Sequence, residues 1–206
     1  MRQLIALYHR HGETTLNAGN AFRSRLDPPL NAVGHAQARK SADVISSYDV
    51  ARVVTSPMLR AAQTAEYVAR ETGAPIVYER ALMPWNLGFM SGKNRDEYAE
   101  LMEYYVAHPD SVPPEGEPLN ELKYRTKDYF QKALEELEEA GEVACFVAHT
   151  SNIIALTNLL EGNDVSKPEL GDTVSPGGVI AIYASERGWE FEPLFGQEKK
   201  PVYGAS

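Results

Sequence analysis

The stretch Leu4-Ile5-Ala6-Leu7-Tyr8-His9-Arg10-His11-Gly12-Glu13-Thr14 changes character within a few residues. Residues 4–8 are apolar or aromatic without polar alternation, the pattern of a strand covered on both faces. Charged and titratable side chains then arrive together, and Gly12 follows. A strand buried on both sides belongs to a sheet with helices above and below it. The carboxyl end of such a strand is where these sheets bind ligands.

Working outward, residues 51–55, 75–78, 143–148 and 179–183 read the same way: short, apolar, partly β-branched or aromatic, and bounded by polar or turn residues. Residues 189–195 alternate and read as an edge strand. Helical patterns lie between these runs. In 34–47, Ala38, Ala42 and Ile45 share a face. In 56–72, Met58, Ala61, Ala65 and Val68 do so. In 119–140, Leu122, Thr126, Tyr129, Ala133 and Leu137 point inward, and Glu135, Glu136, Glu138 and Glu139 form the solvated side. Ser56-Pro57 reads as a helix start with a capping hydroxyl. Gly141 and Gly162 read as stops for 119–140 and 151–160. The expected architecture is α/β: a three-layer α/β/α sandwich with a mostly parallel central sheet, in one domain over 1–206. Residues 82–118 interrupt the alternation with Pro84, Pro109, Pro113, Pro114 and Pro118 and one amphipathic helix over 96–107. They read as a small cap-like insertion over the carboxyl ends of the strands. A frayed tail is expected over 197–206.

Composition narrows the function classes. The 206 residues are 43% hydrophobic and carry a net charge of −9, with a single cysteine, Cys145. A net acidic surface argues against nucleic acid and against anionic membranes as partners. One cysteine cannot form an internal disulfide or a Cys-based zinc site. The five apolar residues near the N-terminus are too few and too closely followed by charge for a signal peptide, so a cytoplasmic, reducing compartment is expected. The sequence leaves the oligomeric state open, with a homodimer among the options.

Three places carry chemistry. Arg10-His11-Gly12-Glu13-Thr14 follows the first strand. Arg10 can hold an oxyanion in a bidentate fork, and a neutral imidazole at His11 is a competent nucleophile toward phosphorus. Arg60 falls in the first turn of a helix, where a cation opposes the dipole and a bound anion would satisfy both. His149 ends the fourth strand, with Thr150 and Ser151 opening the next helix. Singly, each has an ordinary structural reading. Together, two histidines and two arginines at neighbouring strand ends describe a phosphate pocket that needs no metal or other cofactor.

The motif Tyr8-His9-Arg10-His11-Gly12-Glu13-Thr14 with Asn17 resembles the signature of the histidine phosphatase superfamily, which includes the cofactor-dependent phosphoglycerate mutases. The resemblance continues through Leu26-Asp27-Pro28-Pro29-Leu30 with Gly34 and Gln37. It runs on through Ser56-Pro57 with Arg60, Ala61, Gln63, Thr64 and Ala65, through Gly116-Glu117 with Arg125, and into Val147-Ala148-His149. It implies that His11 accepts the phosphoryl group and that Arg10, Arg60 and His149 bind its oxygens, assisted by Asn17. Glu13, Thr14, Arg23 and Thr150 complete the candidate substrate-binding set. The implied substrate is a small phosphate ester, and the implied activity is a phosphomonoesterase that forms and hydrolyses a phosphohistidine.

The sequence departs from that family pattern in places. Pro84 stands where the family's proton-donating glutamate is expected, and proline transfers no proton. Glu13, Asp27 and the acids over 96–100 are the substitutes at hand. Thr150-Ser151 replaces glycines. No paired arginines in the middle segment would hold a substrate carboxylate. A mutase and a catalytically impaired phosphate-ester-binding protein are the alternatives. Trp85, Phe89, Met90, Tyr104 and Tyr105 suggest an apolar leaving group, or else simply pack the insertion. Lys93, Arg95 and Lys123 would suit a second anionic group.

Overall fold

The structure is a computed structural model that describes residues 2–162 and 174–197. Six strands form one sheet: β1 (Gln3–Arg10), β2 (Val50–Thr55), β3 (Ile76–Tyr78), β4 (Val143–Ala148), β5 (Val174–Ser185) and β6 (Gly188–Gln197), in the order β3-β2-β4-β1-β5-β6. The first four in that order run parallel. β5 and β6 run antiparallel to their neighbours. All six runs read as strands are strands. Gln197 closes β6, and the rest of the expected tail lies outside the described residues.

The helices are α1 (Thr15–Ala18), α2 (Ala32–Ile45), α3 (Leu59–Thr72), α4 (Ala99–Ala107), α5 (Leu119–Ala140) and α6 (Thr150–Leu160). Alternation along the central strands sorts side chains into two cores. Leu7, Cys145, Val147 and Val53 pack on one face with Ala42, Ile45, Ala61 and Val68 of α2 and α3. Tyr8, Phe146 and Ala148 pack on the other with Phe130, Leu134, Leu137, Ile153 and Leu156 of α5 and α6. Ile5 and Ala6 both face this second core, because the β1–β5 register shifts between Leu4 and Ala6. Each fully buried side chain of this size contributes about 1.5–3 kcal/mol. In α5 the inward stripe runs through Phe130 and Leu134, while Tyr129 and Ala133 sit at its half-buried margin. Gly141 ends α5 with φ 67°, a conformation that favours glycine.

Two starts differ from expectation. α3 begins at Leu59, not Ser56, and the Asp27 carboxylate accepts the Leu59 N–H at 2.7 Å. Ser56 is thereby free to serve elsewhere. α4 begins at Ala99, because Asp96 is held outside the helix by the Asn20 amide at 2.9 Å. Within 82–118, Trp85, Leu87, Met90, Met102 and Tyr105 form a small core with Phe22, Leu119 and Leu122. Packing therefore accounts for Trp85, Met90 and Tyr105. Phe89 and Tyr104 remain exposed. Among the described residues, no helix is long and apolar enough to cross a membrane.

Candidate active site

Parallel pairing brings three strand ends level. His11 N–H donates to Ala148 O at 3.0 Å, and Ser56 N–H donates to Val147 O at 3.0 Å, so the chain leaving β1, β2 and β4 is tied at one height. The loop after β1 also presses against the first turn of α2. A Cβ on Gly34 would lie 2.1 Å from Glu13 O, and one on Gly12 would lie 2.5 Å from Gly34 O. Only glycine fits at either place. The Gly12 N–H donates to Thr64 Oγ1 at 3.1 Å, which joins the loop to α3.

His11 and His149 meet in this crevice, with ring centroids 5.1 Å apart. They are 1% and 3% exposed. The His11 Nδ1 lies 2.7 Å from Gly12 O. A carbonyl only accepts, so Nδ1 carries the proton. The Arg60 Nε–H points to Nε2 at 3.3 Å, so Nε2 holds a lone pair. Burial pushes the His11 pKa well below its ordinary value, and Arg60, Arg23 and Arg10 push in the same direction. His11 is therefore a neutral imidazole with its unprotonated nitrogen facing cations.

Burial, then Arg60, His11, Arg23 and Arg10, likewise depress His149. Its Nε2 is 2.9 Å from Ser56 Oγ, which itself accepts the Met58 N–H at 3.4 Å. Among the described residues the Ser56 hydroxyl has no other acceptor, so its proton goes to Nε2. That leaves the proton of His149 on Nδ1, buried and without a partner. Thr150 Oγ1 is also buried and unpartnered, and α6 starts at Thr150 with no side-chain cap. Buried donors are rarely left unmet, and an anion at the start of α6 would meet them. Tyr8 fixes this corner by donating its hydroxyl to His149 O at 2.8 Å.

Arg60 is 1% exposed. Its Nη1 and Nη2 donate to Leu26 O at 2.8 Å and Ser24 O at 3.0 Å, which sets the loop that carries Arg23. Burial lowers its pKa to about 10, opposed by Asp27, so it stays charged at neutral pH. Asp27 Oδ1 is 3.8 Å from Nη1. The cation at this helix start thus has a partial counter-charge within the fold. Arg10 is buried and donates through Nη1 to Val174 O.

The remaining candidates take defined places. Thr14 caps α1, and Asn17 Oδ1 accepts from the Thr14 N–H at 3.0 Å and the Thr14 hydroxyl at 2.8 Å. This orients the Asn17 amide and leaves its NH₂ as the available donor. Glu13 accepts from the Asn31 amide at 2.7 Å, a bond to the cap residue of α2. Asp96 is on the exposed Asn20 contact. Neither Glu13, Asp27 nor Asp96 is among the groups that shift His11 or His149: those are Arg60, Arg23 and Arg10 with the Gly12 carbonyl for His11, and the same arginines with His11 for His149. Pro84 is buried, and its carbonyl accepts from Arg25 Nε at 3.0 Å. Ser151 does not cap α6; its hydroxyl accepts the Trp85 N–H at 3.3 Å.

Sequence reasoning did not assign Ser56 and Thr64 to the site or give Tyr8 its anchoring role. A hydroxyl in a buried strand needs a partner, so Tyr8 carried a usable signal. Ser56 looked like an ordinary cap. Among the described residues, no group of three or more His, Cys, Asp or Glu could hold a metal ion.

Known proteins place the chain in a family. The family model of the histidine phosphatase superfamily (branch 1) matches residues 7–195. A 2,3-bisphosphoglycerate-dependent phosphoglycerate mutase of Nitrobacter winogradskyi is 30% identical over 173 residues, 78% of this chain and 83% of that protein. The uncharacterized phosphatase PhoE of Bacillus subtilis is 31% identical over 166 residues, 80% of this chain and 79% of that one. Two solved structures share the fold. Bacillus stearothermophilus YhfR has a TM-score of 0.79 at 23% identity, covering 92% of this chain and 95% of its own. A mycobacterial glucosyl-3-phosphoglycerate phosphatase solved with VO3 has a TM-score of 0.78 at 22% identity, covering 95% and 98%. With the match running from the middle of β1 into β6, the chain belongs to the histidine phosphatase superfamily, branch 1.

Proposed function

We propose that this protein is a phosphomonoesterase that works through a phosphohistidine on His11, without a metal. The observation that carries the reading is the protonation pattern of His11: Nδ1–H held on Gly12 O, and an Nε2 lone pair facing arginine. A phosphoryl oxygen is a better acceptor for the Arg60 Nε–H than an imidazole nitrogen 3.3 Å away. Phosphate entry would move that donor onto oxygen and release the lone pair. Nε2 then bonds to phosphorus as the bond to the ester oxygen breaks, and the ester oxygen leaves with the electron pair. Water attacks phosphorus in the second step, the P–N bond breaks, His11 regains its lone pair, and the water's protons stay with the released phosphate or pass to solvent.

Arg10, Arg23 and Arg60, with His149 Nδ1–H, Thr150 and the Asn17 amide, supply the fixed donors for the equatorial oxygens. Their charge does what phosphoryl transfer chiefly requires, positioning and electrostatic stabilisation. Glu13 and Thr14 act behind them, by holding α2 and Asn17. With Pro84 in the acid's usual place, the leaving group departs with little proton assistance. General-acid help is typically worth ~10²–10⁴-fold, so aryl phosphates should react far faster than alkyl phosphates.

The test is phosphate release from nitrophenyl, phenyl and alkyl phosphates, with and without chelator and with and without 2,3-bisphosphoglycerate. The reading expects chelator-insensitive hydrolysis, steepest for aryl esters. Turnover only with the bisphosphate would favour a mutase, and phosphate binding without any turnover would favour a protein that has lost catalysis.

A further inference from the structure

Glu117 lies apart from the histidines, on the chain between α4 and α5, yet it is 8% exposed and meets five hydrogen bonds. Arg25 Nη2 donates to its two oxygens at 3.3 and 3.2 Å. Arg125 donates through Nη1 at 3.0 Å and Nη2 at 3.3 Å, and the Asn86 N–H adds a bond at 3.0 Å. Burial raises its pKa, but the Arg125 and Asn86 hydrogen bonds and the arginine charges outweigh that and hold it below the usual carboxylate range. Glu117 is therefore a permanent carboxylate, not a spare proton donor.

What it joins is the two sides of the phosphate pocket. Arg25 is two residues from Arg23, on the loop whose carbonyls Arg60 holds. Ser24 of that loop donates its hydroxyl to Trp85 O at 3.1 Å and accepts the Leu87 N–H at 2.8 Å. Arg25 Nε binds Pro84 O, and Arg125 Nη2 binds Met83 O at 3.2 Å. On the other side, Asn152 of α6 also reaches Met83 O at 3.3 Å, while Trp85 N–H reaches Ser151. Residues 83–87 thus form a strut between the Arg23 loop and the start of α6, where His149 and Thr150 lie. Glu117 pins the strut at Asn86, and through its carbonyl it accepts Trp85 Nε1–H at 2.9 Å.

We infer that Glu117 is a positioning residue for the phosphate site: through Arg25, Arg125 and residues 83–87 it sets the separation of Arg23 from His149 and Thr150. The inference rests on the phosphate-site reading above. Oxyanion affinity depends on that separation, because charge-assisted bonds weaken steeply as donors leave range.

The experiment measures the dissociation constant of orthovanadate and of inorganic phosphate by calorimetry, well below each variant's melting temperature. Glu117→Gln, which keeps the shape but removes the charge, should weaken both oxyanions at least tenfold. Arg25→Met, which frees the Arg23 loop but leaves Glu117 paired with Arg125, should do the same and serves if Glu117→Gln does not fold. Leu137→Ala, in the core on the α5–α6 side, is a control for lost stability alone and should leave affinity unchanged. Wild-type affinity in the folded Glu117→Gln or Arg25→Met protein, or an equal loss in Leu137→Ala, overturns the inference. Wild-type protein that binds neither oxyanion overturns the phosphate-site reading and this inference with it. Wild-type protein that binds both without hydrolysing esters sinks the proposed activity alone and leaves the positioning role to be decided by the variants.

Discussion

Two arginine clusters lie on the carboxyl side of the sheet, and they face different partners. Around Glu117, Arg25 and Arg125 share one buried carboxylate. Around His11, Arg10, Arg23 and Arg60 act on two buried imidazoles that carry no charge, and Asp27 at 3.8 Å is a distant partner for one of them. In the first cluster both arginines and both Glu117 oxygens are engaged within the fold. The second holds an imidazole N–H and a threonine hydroxyl that are buried and, among the described residues, unpartnered. Cations gathered on neutral imidazoles, beside donors with no partner among the described residues, suit a ligand that brings negative charge. The contrast is the physical case for an oxyanion site.

The largest way to sharpen the contrast is to remove the nucleophile. His11→Asn should lower turnover by roughly 10⁴-fold or more, as loss of a covalent nucleophile does elsewhere. It should leave the melting temperature equal or higher, because a buried imidazole among cations is replaced by a neutral amide. Steady-state kinetics with calorimetric melting checks both. Turnover within tenfold of wild type would break the assignment.

Glu117→Ala probes the other cluster. Breaking a buried ion pair by removing one partner costs about 3–5 kcal/mol, because the partner charges are left unpaired. The expected loss in urea unfolding is of that size. A loss under about 1 kcal/mol would mean the clusters do not differ as described.

Acid separates them by mechanism. His9, His11 and His149 are neutral when folded, and burial lowers His9 to about 4. Above about pH 6.5 these imidazoles are neutral in both states and carry no penalty. As pH falls below that, the unfolded chain takes up protons that the folded one refuses, so stability falls. For His9 alone this amounts to about 3 kcal/mol by pH 4. Glu117 adds loss of the same sign in a lower window, as pH drops through the carboxylate range. Urea unfolding across pH 8 to 4 should show the decline starting near 6.5. Stability flat to pH 5 would contradict the buried neutral histidines.

The smallest effect is that of an added oxyanion. Orthovanadate at 100 times its dissociation constant should stabilise the protein by about 2.7 kcal/mol. That stabilisation should be lost in Arg60→Ala.

The sheet was legible because its signal is local: five strands showed as short apolar runs, and the sixth, at the edge, as an alternating one. The four central candidate residues could be grouped from sequence because each ends or follows a strand or opens a helix, and strand ends converge in a parallel sheet. What was not legible depended on distant partners. Ser56 followed by Pro57 has the local form of a cap, yet Asp27, far away in sequence, caps α3 and leaves Ser56 to orient His149. Glu117 with Arg125 was visible as a motif, but its place between Arg25 and residues 83–87 needed the fold. Trp85 and Met90 carry the same apolar signal whether they line a pocket or fill a core, and the packing of residues 82–118 decided for the core.

The central claim is that Nε2 of His11 takes the phosphoryl group. Enzyme mixed with labelled nitrophenyl phosphate and quenched within one turnover should carry acid-labile, base-stable phosphate. Peptide mass spectrometry under alkaline conditions should locate it on His11, and the label should be absent from His11→Asn. Turnover with no trapped label, or label on any residue other than His11, would contradict the account.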